Sequence, residues 1–381
     1  MKLLIDALSA RQGGGQTYLV NLLGAFPNVP GDEVFLLLPP AFRIPVERPD
    51  LHLIEVSGIV ETPVARAAWE LIFLPRLINK LGAEVLFCPG GIIPSGIPGN
   101  CRTATMFRNM IPFDRAQRAR YPLGYTRLRN YLLERLFLGS MAAADLVIFI
   151  SEYARELIET RAPERVRRSV VIPHGLADHF RTHGPQPVRP RWLPEGDYLL
   201  YVSSVDRYKA QLEVVRGYNI LQARRSGLPH LVLAGPVNDS GYERILRGEI
   251  ERLGLKESVL LAGPVAYADL SAAYQHAVVN IFASESENCP NILLEAMASG
   301  RAVVASCCPP MPEFGGDAVD YFDPRDPADL AEKLGALLDS PCQMAELADR
   351  AQRRTQKFDW AVTAKRTRDA LAGLVEEANC G

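Results

Sequence analysis

Short apolar runs alternate along the chain with longer stretches of helical periodicity, and this alternation constrains the fold more than any other feature. In the first half the apolar runs are KLLID, EVFLLLP, EVLFCP, TATMF, DLVIFI and SVVIP; in the second half they are YLLYVS, HLVLAG, SVLLAG, VVNIFAS and RAVVAS. Buried strands of a parallel sheet read as continuous apolar runs, and successive parallel strands need a helical crossover. The sequence therefore predicts an α/β fold with two doubly wound, Rossmann-like domains.

A segment without periodicity separates the two halves. It reads HGLADHFRTHGPQPVRPRWLPEG and is rich in Pro, Gly and Arg, which is typical of a linker. We therefore assign residues 1–178 to a first domain and residues 188–360 to a second. The amphipathic C-terminal helix, 361–381, is expected to pack back on the first domain. Because open α/β sheets bind ligands beyond the carboxyl ends of their strands, we expect the two domains to face each other across a ligand-binding cleft.

Composition excludes several classes of protein. A net charge of -2 argues against a nucleic-acid-binding protein. No apolar run is long enough to span a membrane, and the N-terminal sequence MKLLIDALSARQGGG lacks the apolar stretch of a signal peptide. The seven cysteines show no CxxC spacing and fit reduced thiols in the cytoplasm. With few histidines and no paired ligand spacing, we expect no metal.

A glycine-rich loop follows the first predicted strand. Gly13, Gly14 and Gly15 precede a helix that we expect to begin near Gln16. Glycines allow the backbone to approach a ligand closely, and a helix N-terminus favours anions. A tight strand-to-helix turn requires only one glycine, so the run of three favours ligand binding over a purely structural turn.

Arg108 and Asn109 follow the strand TATMF. A buried strand rarely ends in arginine without a partner, so both residues are candidate substrate contacts. A salt bridge between domains, or a solvated arginine in a loop, is an equally good interpretation of Arg108.

The loop after the first strand of the second domain carries positive charge. It contains Ser203, Ser204, Arg207 and Lys209 in the sequence YVSSVDRYKAQLEVV. Lysine as a point charge and arginine as a planar fork suit a phosphate or diphosphate. Lysines at helix starts are usually solvated, so the loop alone is a weak signal.

Two glutamates lie in ESENCPNILLEAMASG, which follows the strand VVNIFAS. Glu287 falls in the loop, whereas Glu295 falls inside the helix that begins near Asn291 and stops at Gly300. Pro290 fits the first helical turn. Both carboxylates are predicted to face one ligand at this helix N-terminus, although glutamate inside a helix is common for structural reasons.

The segment from Asp114 to Phe137 is rich in arginine, tyrosine and leucine. It fits a basic amphipathic surface for anionic lipid. A pair of ordinary helices whose arginines face solvent is the slightly favoured interpretation.

Together these motifs resemble glycosyltransferase family 4, the retaining nucleotide-sugar transferases of the GT-B fold. The resemblance covers nearly the whole chain and is strongest from about Tyr198 to Pro324. Its most specific element is E-x7-E, here Glu287 to Glu295. The supporting matches are GGG near the N-terminus, VIFISEYAREL, VIPHGL, VLLAGPV, PEFGGDAVDYFDP and the terminal FDW.

The resemblance implies roles for the residues that match. The first domain would bind the acceptor and the second the nucleotide sugar. Glu287 would contact the donor sugar, Glu295 the ribose hydroxyls and Lys209 the diphosphate. Gly14 and Gly15 would approach the donor phosphate, Val265 would lie where the base stacks, and Asn109 would lie on the acceptor side. The donor contacts between the two glutamates would be Asn288, Cys289, Pro290, Asn291 and Ile292.

Three positions depart from the family pattern. Ser204 stands where the family has the arginine of R-x4-K, so Arg207 would supply the second positive charge. Arg108 stands where the family often has a histidine near the reacting carbon. Pro290 lies in a loop that is usually glycine-rich, and it has no N–H to offer the donor. The last departure suggests a different sugar preference.

The resemblance also implies a mechanism. The chain would be a hexosyltransferase that moves a sugar from a nucleoside-diphosphate sugar to an acceptor hydroxyl, with retention of configuration and without metal or cofactor. Closure of the cleft would exclude water. Lys209, Arg207, Arg108 and the helix N-terminus would stabilise the departing diphosphate.

Two alternatives remain open at this point: a sugar-nucleotide epimerase of the same fold, and a non-catalytic relative that only binds nucleotide sugar. The expected partners are the donor and a carbohydrate or lipid-linked acceptor, without nucleic acid. The expected pathway is cell-surface polysaccharide or glycolipid biosynthesis. The expected location is the cytoplasm, with peripheral contact to the anionic inner face of the plasma membrane.

Overall fold

A computed structural model describes residues 1–380 of the chain apart from 11–13, 41, 57, 122–123, 182–183 and 185. The chain divides into two compact units. Unit 1 comprises Met1–Gly175 and Phe358–Gly381, and unit 2 comprises Leu176–Lys357.

Unit 1 is built on a parallel sheet of seven strands in the order β3-β2-β1-β4-β5-β6-β7. The strands are β1 (Lys2–Asp6), β2 (Glu33–Leu38), β3 (Leu51–Glu55), β4 (Val85–Cys88), β5 (Arg102–Phe107), β6 (Leu146–Phe149) and β7 (Ser169–Val171). Its helices are α1 (Gly14–Gly24), α2 (Pro63–Leu81), α3 (Arg115–Arg120), α4 (Tyr125–Ala143), α5 (Glu152–Arg161) and the C-terminal α13 (Trp360–Cys380).

Unit 2 repeats the scheme with a parallel sheet of six strands in the order β10-β9-β8-β11-β12-β13. The strands are β8 (Tyr198–Val202), β9 (His230–Ala234), β10 (Val259–Gly263), β11 (Val279–Phe282), β12 (Ala302–Ser306) and β13 (Asp320–Phe322). Its helices are α6 (Gln211–Arg224), α7 (Ser240–Arg252), α8 (Tyr267–His276), α9 (Asn291–Ala298), α10 (Met311–Gly315), α11 (Pro327–Leu338) and α12 (Pro341–Thr355).

These two sheets confirm the predicted doubly wound α/β fold. Every strand expected from an apolar run is present, and most of these runs are buried within their sheets. The strands that sequence reasoning missed, β3 and β13, lie at sheet edges and are partly exposed, so their sequences LHLIE and DYF lack a continuous apolar run.

In each sheet the strand order reverses at one point. The reversal falls between β1 and β4 in unit 1 and between β8 and β11 in unit 2. The crevice at such a point, beyond the carboxyl ends of the strands, is where doubly wound folds bind ligands. The loops that follow β8 and β11 are therefore the first place to look for a site in unit 2.

Helix α13 belongs to unit 1 although it ends the chain. It packs against α1, and Arg368 forms an ion pair of 2.9 Å with the buried carboxylate of Asp32. Trp360, its first residue, stacks on His174 with the ring centroids 5.7 Å apart. No helix in the described part of the chain is both long and apolar enough to cross a membrane.

Candidate functional site

Lys209 lies at the strand-order reversal of unit 2, in a short 3-10 helix (Arg207–Lys209) between β8 and α6. Its side chain is 6% exposed, and its ammonium group forms an ion pair with the carboxylate of Glu287. Burial by itself lowers the pKa of Lys209, but the Glu287 carboxylate, together with Tyr208 and Tyr201, outweighs burial and the pKa is raised above its ordinary value. The ammonium is therefore a buried cation at neutral pH. It has three N–H donors, and a single carboxylate leaves capacity for another anion.

The loop that carries Lys209 is fixed by hydrogen bonds to its own unit. The Tyr201 hydroxyl donates to the Lys209 carbonyl at 2.7 Å, and the Gln211 amide donates to the Ser203 hydroxyl and the Ser204 carbonyl at 2.8 Å each. Ala210 has a left-handed backbone (φ 52°), which costs energy for a residue with a Cβ. These bonds aim the lysine at β11 rather than at solvent.

Glu287 lies in the loop after β11, the strand next to β8. The backbone N–H of Glu285 donates to the Tyr208 carbonyl at 2.8 Å and joins the two loops. The buried carboxylate of Glu285 also pairs with Arg325 at 3.3 Å. The Lys209–Glu287 pair is thus supported from both sides by contacts that do not involve a ligand.

Glu295 occupies the second turn of α9 and is buried. Its carboxyl accepts a hydrogen bond from the Tyr274 hydroxyl at 3.3 Å. Burial raises the pKa of Glu295 to about 8, against a smaller lowering by Tyr274. In the ligand-free protein this carboxyl is therefore largely protonated at neutral pH.

The N-terminus of α9 lies between the two glutamates. Pro290 is the N-cap residue and makes no side-chain cap, so the prediction that it lies inside the first helical turn is wrong by one residue. A proline at this position cannot cap the helix, because its side chain has no hydrogen-bond acceptor. The first N–H groups of an α-helix have no partner within the helix, which favours an anion. Asn288 is buried, Cys289 and Ile292 are half-buried, and the Asn291 amide donates to the Cys289 carbonyl at 2.9 Å.

Arg207 lies beside this site but is engaged elsewhere. Its guanidinium forms an ion pair of 2.9 Å with Asp239, which in turn caps α7 by accepting from the Tyr242 amide. Ser204, at the position of the family arginine, is half-buried and supplies its carbonyl to Gln211. Arg207 would therefore bring a charge that is already partly neutralised.

An aromatic cluster, which sequence reasoning missed, adjoins Glu295. Phe180 and Tyr267 meet edge to face at 5.3 Å between ring centroids, and Phe180 contacts Tyr274 at 6.0 Å. Tyr267 is 45% exposed and Val265 is half-buried. Phe180 lies in the stretch that the sequence presented as a linker, and the Pro- and Gly-rich residues that follow it gave no signal of a buried contact.

In unit 1 the structure brings Arg108 to the glycine-rich loop. The guanidinium donates to the Gly14 carbonyl at 2.6 Å and lies over the Tyr18 ring, 5.0 Å from its centroid. Helix α1 begins at Gly14, two residues before the predicted start, so Gly14 and Gly15 form its first turn. Gly13 lies outside the described residues. A Cβ on Gly14 would lie 3.6 Å from Arg108, an ordinary contact, so the close approach concerns the backbone carbonyl.

Asn109 has a local structural role. Its side-chain oxygen accepts from the Ile111 amide at 3.2 Å and starts a 3-10 helix. This bond accounts for the residue without a ligand, and its place on the acceptor side stays a prediction.

Two buried carboxyl groups in unit 1 were also missed. Asp6 ends β1 at the strand-order reversal, and burial raises its pKa. Burial, with the charge of Asp6, raises the pKa of Glu70 on α2 to about 8. Among the residues that the structure describes, no group of three or more His, Cys, Asp or Glu side chains is placed to hold a metal ion. The expectation of a metal-free reaction stays a prediction.

Most of unit 2 is similar to a known protein family. Residues 196–340 match the family model described as "Glycosyl transferases group 1". This part of the chain resembles a group 1 glycosyl transferase domain. The resemblance to glycosyltransferases that the sequence motifs indicated is confirmed. Lys209, Glu287 and Glu295 all lie within the matched residues.

Individual proteins match a longer stretch of the chain. D-inositol 3-phosphate glycosyltransferase 2 of Catenulispora acidiphila is 29% identical over 251 residues, which cover 62% of this chain and 57% of that protein. Serotype-specific mannosyltransferase WbdA of Escherichia coli is 27% identical over 73% of this chain and 34% of that protein. The match thus spans only about a third to three fifths of the length of these relatives.

Solved structures share the fold of the whole chain. Anabaena Alr3699/HepE, in complex with UDP-glucose, matches with a TM-score of 0.75 and 17% identity over 98% of this chain and all of that one. Sucrose-phosphate synthase from Thermosynechococcus elongatus matches with a TM-score of 0.74 and 18% identity over 99% of this chain and all of that one. At this identity the likeness shows the fold alone.

Proposed function

We propose that the protein transfers a hexose from a nucleoside-diphosphate sugar to an acceptor hydroxyl, with retention of configuration. The observation that carries this proposal is the buried ion pair of Lys209 and Glu287 just before α9, with Glu295 buried in the second turn of that helix, in the part of the chain that matches the group 1 glycosyl transferases. A cation, two carboxyl groups and a set of backbone amides are the groups that a nucleotide sugar requires.

The diphosphate would bind between Lys209 and the first turn of α9. The ammonium is held in place by Glu287, so little side-chain entropy remains to be lost when phosphate binds. The helix N-terminus adds its amides and the positive end of its dipole. Pro290 contributes no amide, so Ile292 and its neighbours in the first turn would make these contacts.

Glu287 and Glu295 would hold the two sugars of the donor. Glu287 is half-buried, and its second oxygen can accept from hydroxyls of the transferred hexose. Glu295 would accept from the ribose hydroxyls, with Tyr274 keeping its carboxyl oriented. Because Glu295 is largely protonated without ligand, binding of the ribose would favour the ionised form that accepts two hydroxyl hydrogens.

The chemical step would break the bond between the anomeric carbon and the diphosphate through an oxocarbenium-like transition state. Lys209 and the α9 amides would stabilise the negative charge on the leaving diphosphate. The departing phosphate would take the proton of the acceptor hydroxyl on the same face of the sugar, so configuration is retained. Arg108 is proposed to add positive charge that stabilises the leaving diphosphate, and no metal or cofactor enters the proposal.

The acceptor is proposed to be a carbohydrate or lipid-linked sugar of cell-surface polysaccharide or glycolipid biosynthesis. The relatives support this class: one acts on inositol 3-phosphate and another is a serotype-specific mannosyltransferase, according to their names. A lipid-linked acceptor would place the protein in the cytoplasm at the anionic inner face of the membrane.

A panel of nucleotide sugars tests the proposal. UDP-glucose, the ligand of the similar Anabaena structure, and a nucleotide-linked mannose are mixed with the protein, and melting temperature and nucleotide release are followed. We expect one donor to raise the melting temperature and to release nucleotide when acceptor is added. If no donor does so, and Glu295→Ala changes no activity, the proposal is wrong. Binding without turnover would favour the non-catalytic alternative.

A further inference from the structure

The exposed apolar side chains of unit 1 concentrate on two helices. Each of the following is at least 45% exposed: Val64, Leu71, Ile72 and Phe73 on α2, and Tyr125, Leu128, Tyr131, Leu132 and Leu136 on α4. Ile93 packs against the core beneath α2 and against the core beneath α4, so the two helices flank one segment of the chain. Contiguous exposed apolar side chains mark an interaction surface.

On α4 these side chains form a stripe along one face, defined here as Tyr125, Leu128, Leu132 and Leu136. Their spacing of three and four residues places them above one another. The opposite face of α4 is buried through Asn130, Phe137, Ser140 and Met141. The solvent side of a surface helix is normally polar, so leucines that are 59%, 51% and 52% exposed there require an apolar partner.

A basic cavity of about 520 Å³ adjoins the stripe. It is lined by the side chains of Arg115, Arg118, Arg135, Arg165, Glu134 and Tyr131. Arg118 neutralises Glu134 at 2.5 Å, and Arg135 lies over the Tyr131 ring at 4.7 Å from its centroid. Arg165 pairs with Glu164 at 3.2 Å, so the four guanidinium groups face two carboxylates and the cavity keeps a net positive charge. The planar arginine fork suits a phosphate.

We propose that this cavity binds the phosphate of an anionic lipid headgroup while the stripe of α4 enters the lipid boundary. A helix with an apolar face and a rim of arginines binds at a membrane surface in this way. This lipid site rests on the proposed function in one respect: it would bring the protein to an acceptor that is held in a membrane.

Charge argues against a second copy of this chain as the occupant. Between residues 115 and 135 the arginines are Arg115, Arg118, Arg120, Arg127, Arg129 and Arg135, and the acid in that span is Glu134. A two-fold interface would bring the same arginines of both copies together, and like charges repel. Anionic lipid supplies the opposite charge.

Sedimentation of the full-length protein with vesicles tests the site. Vesicles of phosphatidylcholine alone are compared with vesicles containing phosphatidylglycerol, at low and high salt. One variant carries Leu128→Gln, Leu132→Gln and Leu136→Gln, and a second carries Arg115→Gln and Arg165→Gln. The matched controls lie on α7 and are Ile245→Gln and Arg247→Gln. Ile245 is 50% exposed, and the side chain of Arg247 is 59% exposed.

We expect wild type to sediment with phosphatidylglycerol at low salt and to be released at high salt. The two-arginine variant should lose about 25-fold in vesicle affinity, at about fivefold for each arginine. The leucine variant should lose roughly tenfold or more, and both controls should match wild type. Melting curves and the donor-induced shift are recorded on the same samples, so a loss of donor binding is distinguished from a loss of vesicle binding.

Three results would overturn the proposal. If the protein sediments equally with both kinds of vesicle, the anionic headgroup is not the ligand. Binding of soluble glycerol phosphate as tight as that of vesicles, at matched ionic strength, makes the cavity a site for free phosphate. A change from dimer to monomer in the leucine variant, seen by light scattering with unchanged sedimentation, assigns the stripe to a second copy.

Discussion

Glu295 is the residue whose ionisation most directly links the fold to the proposed donor. A buried carboxyl with a pKa of about 8 is mostly the neutral acid at neutral pH, whereas ribose hydroxyls are bound best by the anion. Lys209 presents the opposite case, since its carboxylate partner keeps it charged despite burial. These two states could not be predicted from the sequence, because Lys209 and Glu287 are 78 residues apart and the sequence does not show their contact.

Replacing Glu295 with glutamine should change the pH dependence of stability. The pKa of Glu295 is raised from 4.5 to about 8 in the folded protein. Between these two pH values the unfolded chain releases this proton while the folded protein keeps it, so the free energy of unfolding of wild type falls as pH rises from 4.5 to about 8. Glutamine does not titrate, so the melting temperature of Glu295→Gln relative to wild type should rise across that window, by the equivalent of a few kcal/mol. Glu70 titrates in the same range in both proteins and cancels in the comparison. A constant difference in melting temperature from pH 4.5 to 9 would contradict the buried carboxyl.

Replacing Lys209 with methionine should remove the donor's charge partner while keeping the length of the side chain. We expect kcat for the accepted donor to fall by about 100-fold or more, as when one group that stabilises developing charge is removed. Lys256→Met is the matched control, because that exposed lysine pairs with Glu251 on the surface of the same unit. Equal effects of the two substitutions on kcat would show that Lys209 has no special role.

At the scale of elements, the site depends on how the first two strands of unit 2 end. Gly235, after β9, has φ 146°, and a Cβ there would lie 2.1 Å from the Ser203 carbonyl oxygen. Only glycine permits this approach of β9 to the loop that begins at Ser203. The sequence predicted the strands and helices of the core because their periodicity is strong. It missed β3 and β13 because a short edge strand is partly exposed, and it placed Pro290 one residue too far into α9.

Gly235→Ala should therefore destabilise unit 2. We expect a loss of about 1–3 kcal/mol or more in the free energy of unfolding, as in an overpacked core. Gly248→Ala is the opposite control, since Gly248 lies within α7 with no atom within 4 Å of its added Cβ. It should stabilise the protein by up to about 1 kcal/mol. Chemical denaturation of both variants measures the two effects, and a neutral Gly235→Ala would contradict the close approach.

At the scale of the whole molecule, the chain leaves unit 1 at Gly175 and returns to it at Phe358. The returning helix α13 contributes Arg368 to Asp32 and Trp360 to His174. The amphipathic pattern of the C-terminus was sufficient to suggest this return. The partners could not be named, because they lie hundreds of residues away in the sequence.

A chain that ends at Lys357 should lose stability in unit 1 alone. We expect amides of α1 and β1 to exchange faster with solvent, since α13 covers α1 and pairs with Asp32. Amides of β8 and β11 in unit 2 should exchange as in the full chain. If exchange is unchanged throughout unit 1, α13 does not stabilise it.

The central claim is that a nucleotide sugar binds to Lys209, Glu287 and Glu295. Hydrogen exchange of the full chain, with and without the donor that raises its melting temperature, tests this most directly. We predict that residues 203–210 and 284–295 become protected together, and that the protection disappears in Lys209→Met at the same donor concentration. Donor-induced protection that leaves both stretches unchanged, or that persists in Lys209→Met, would contradict the claim.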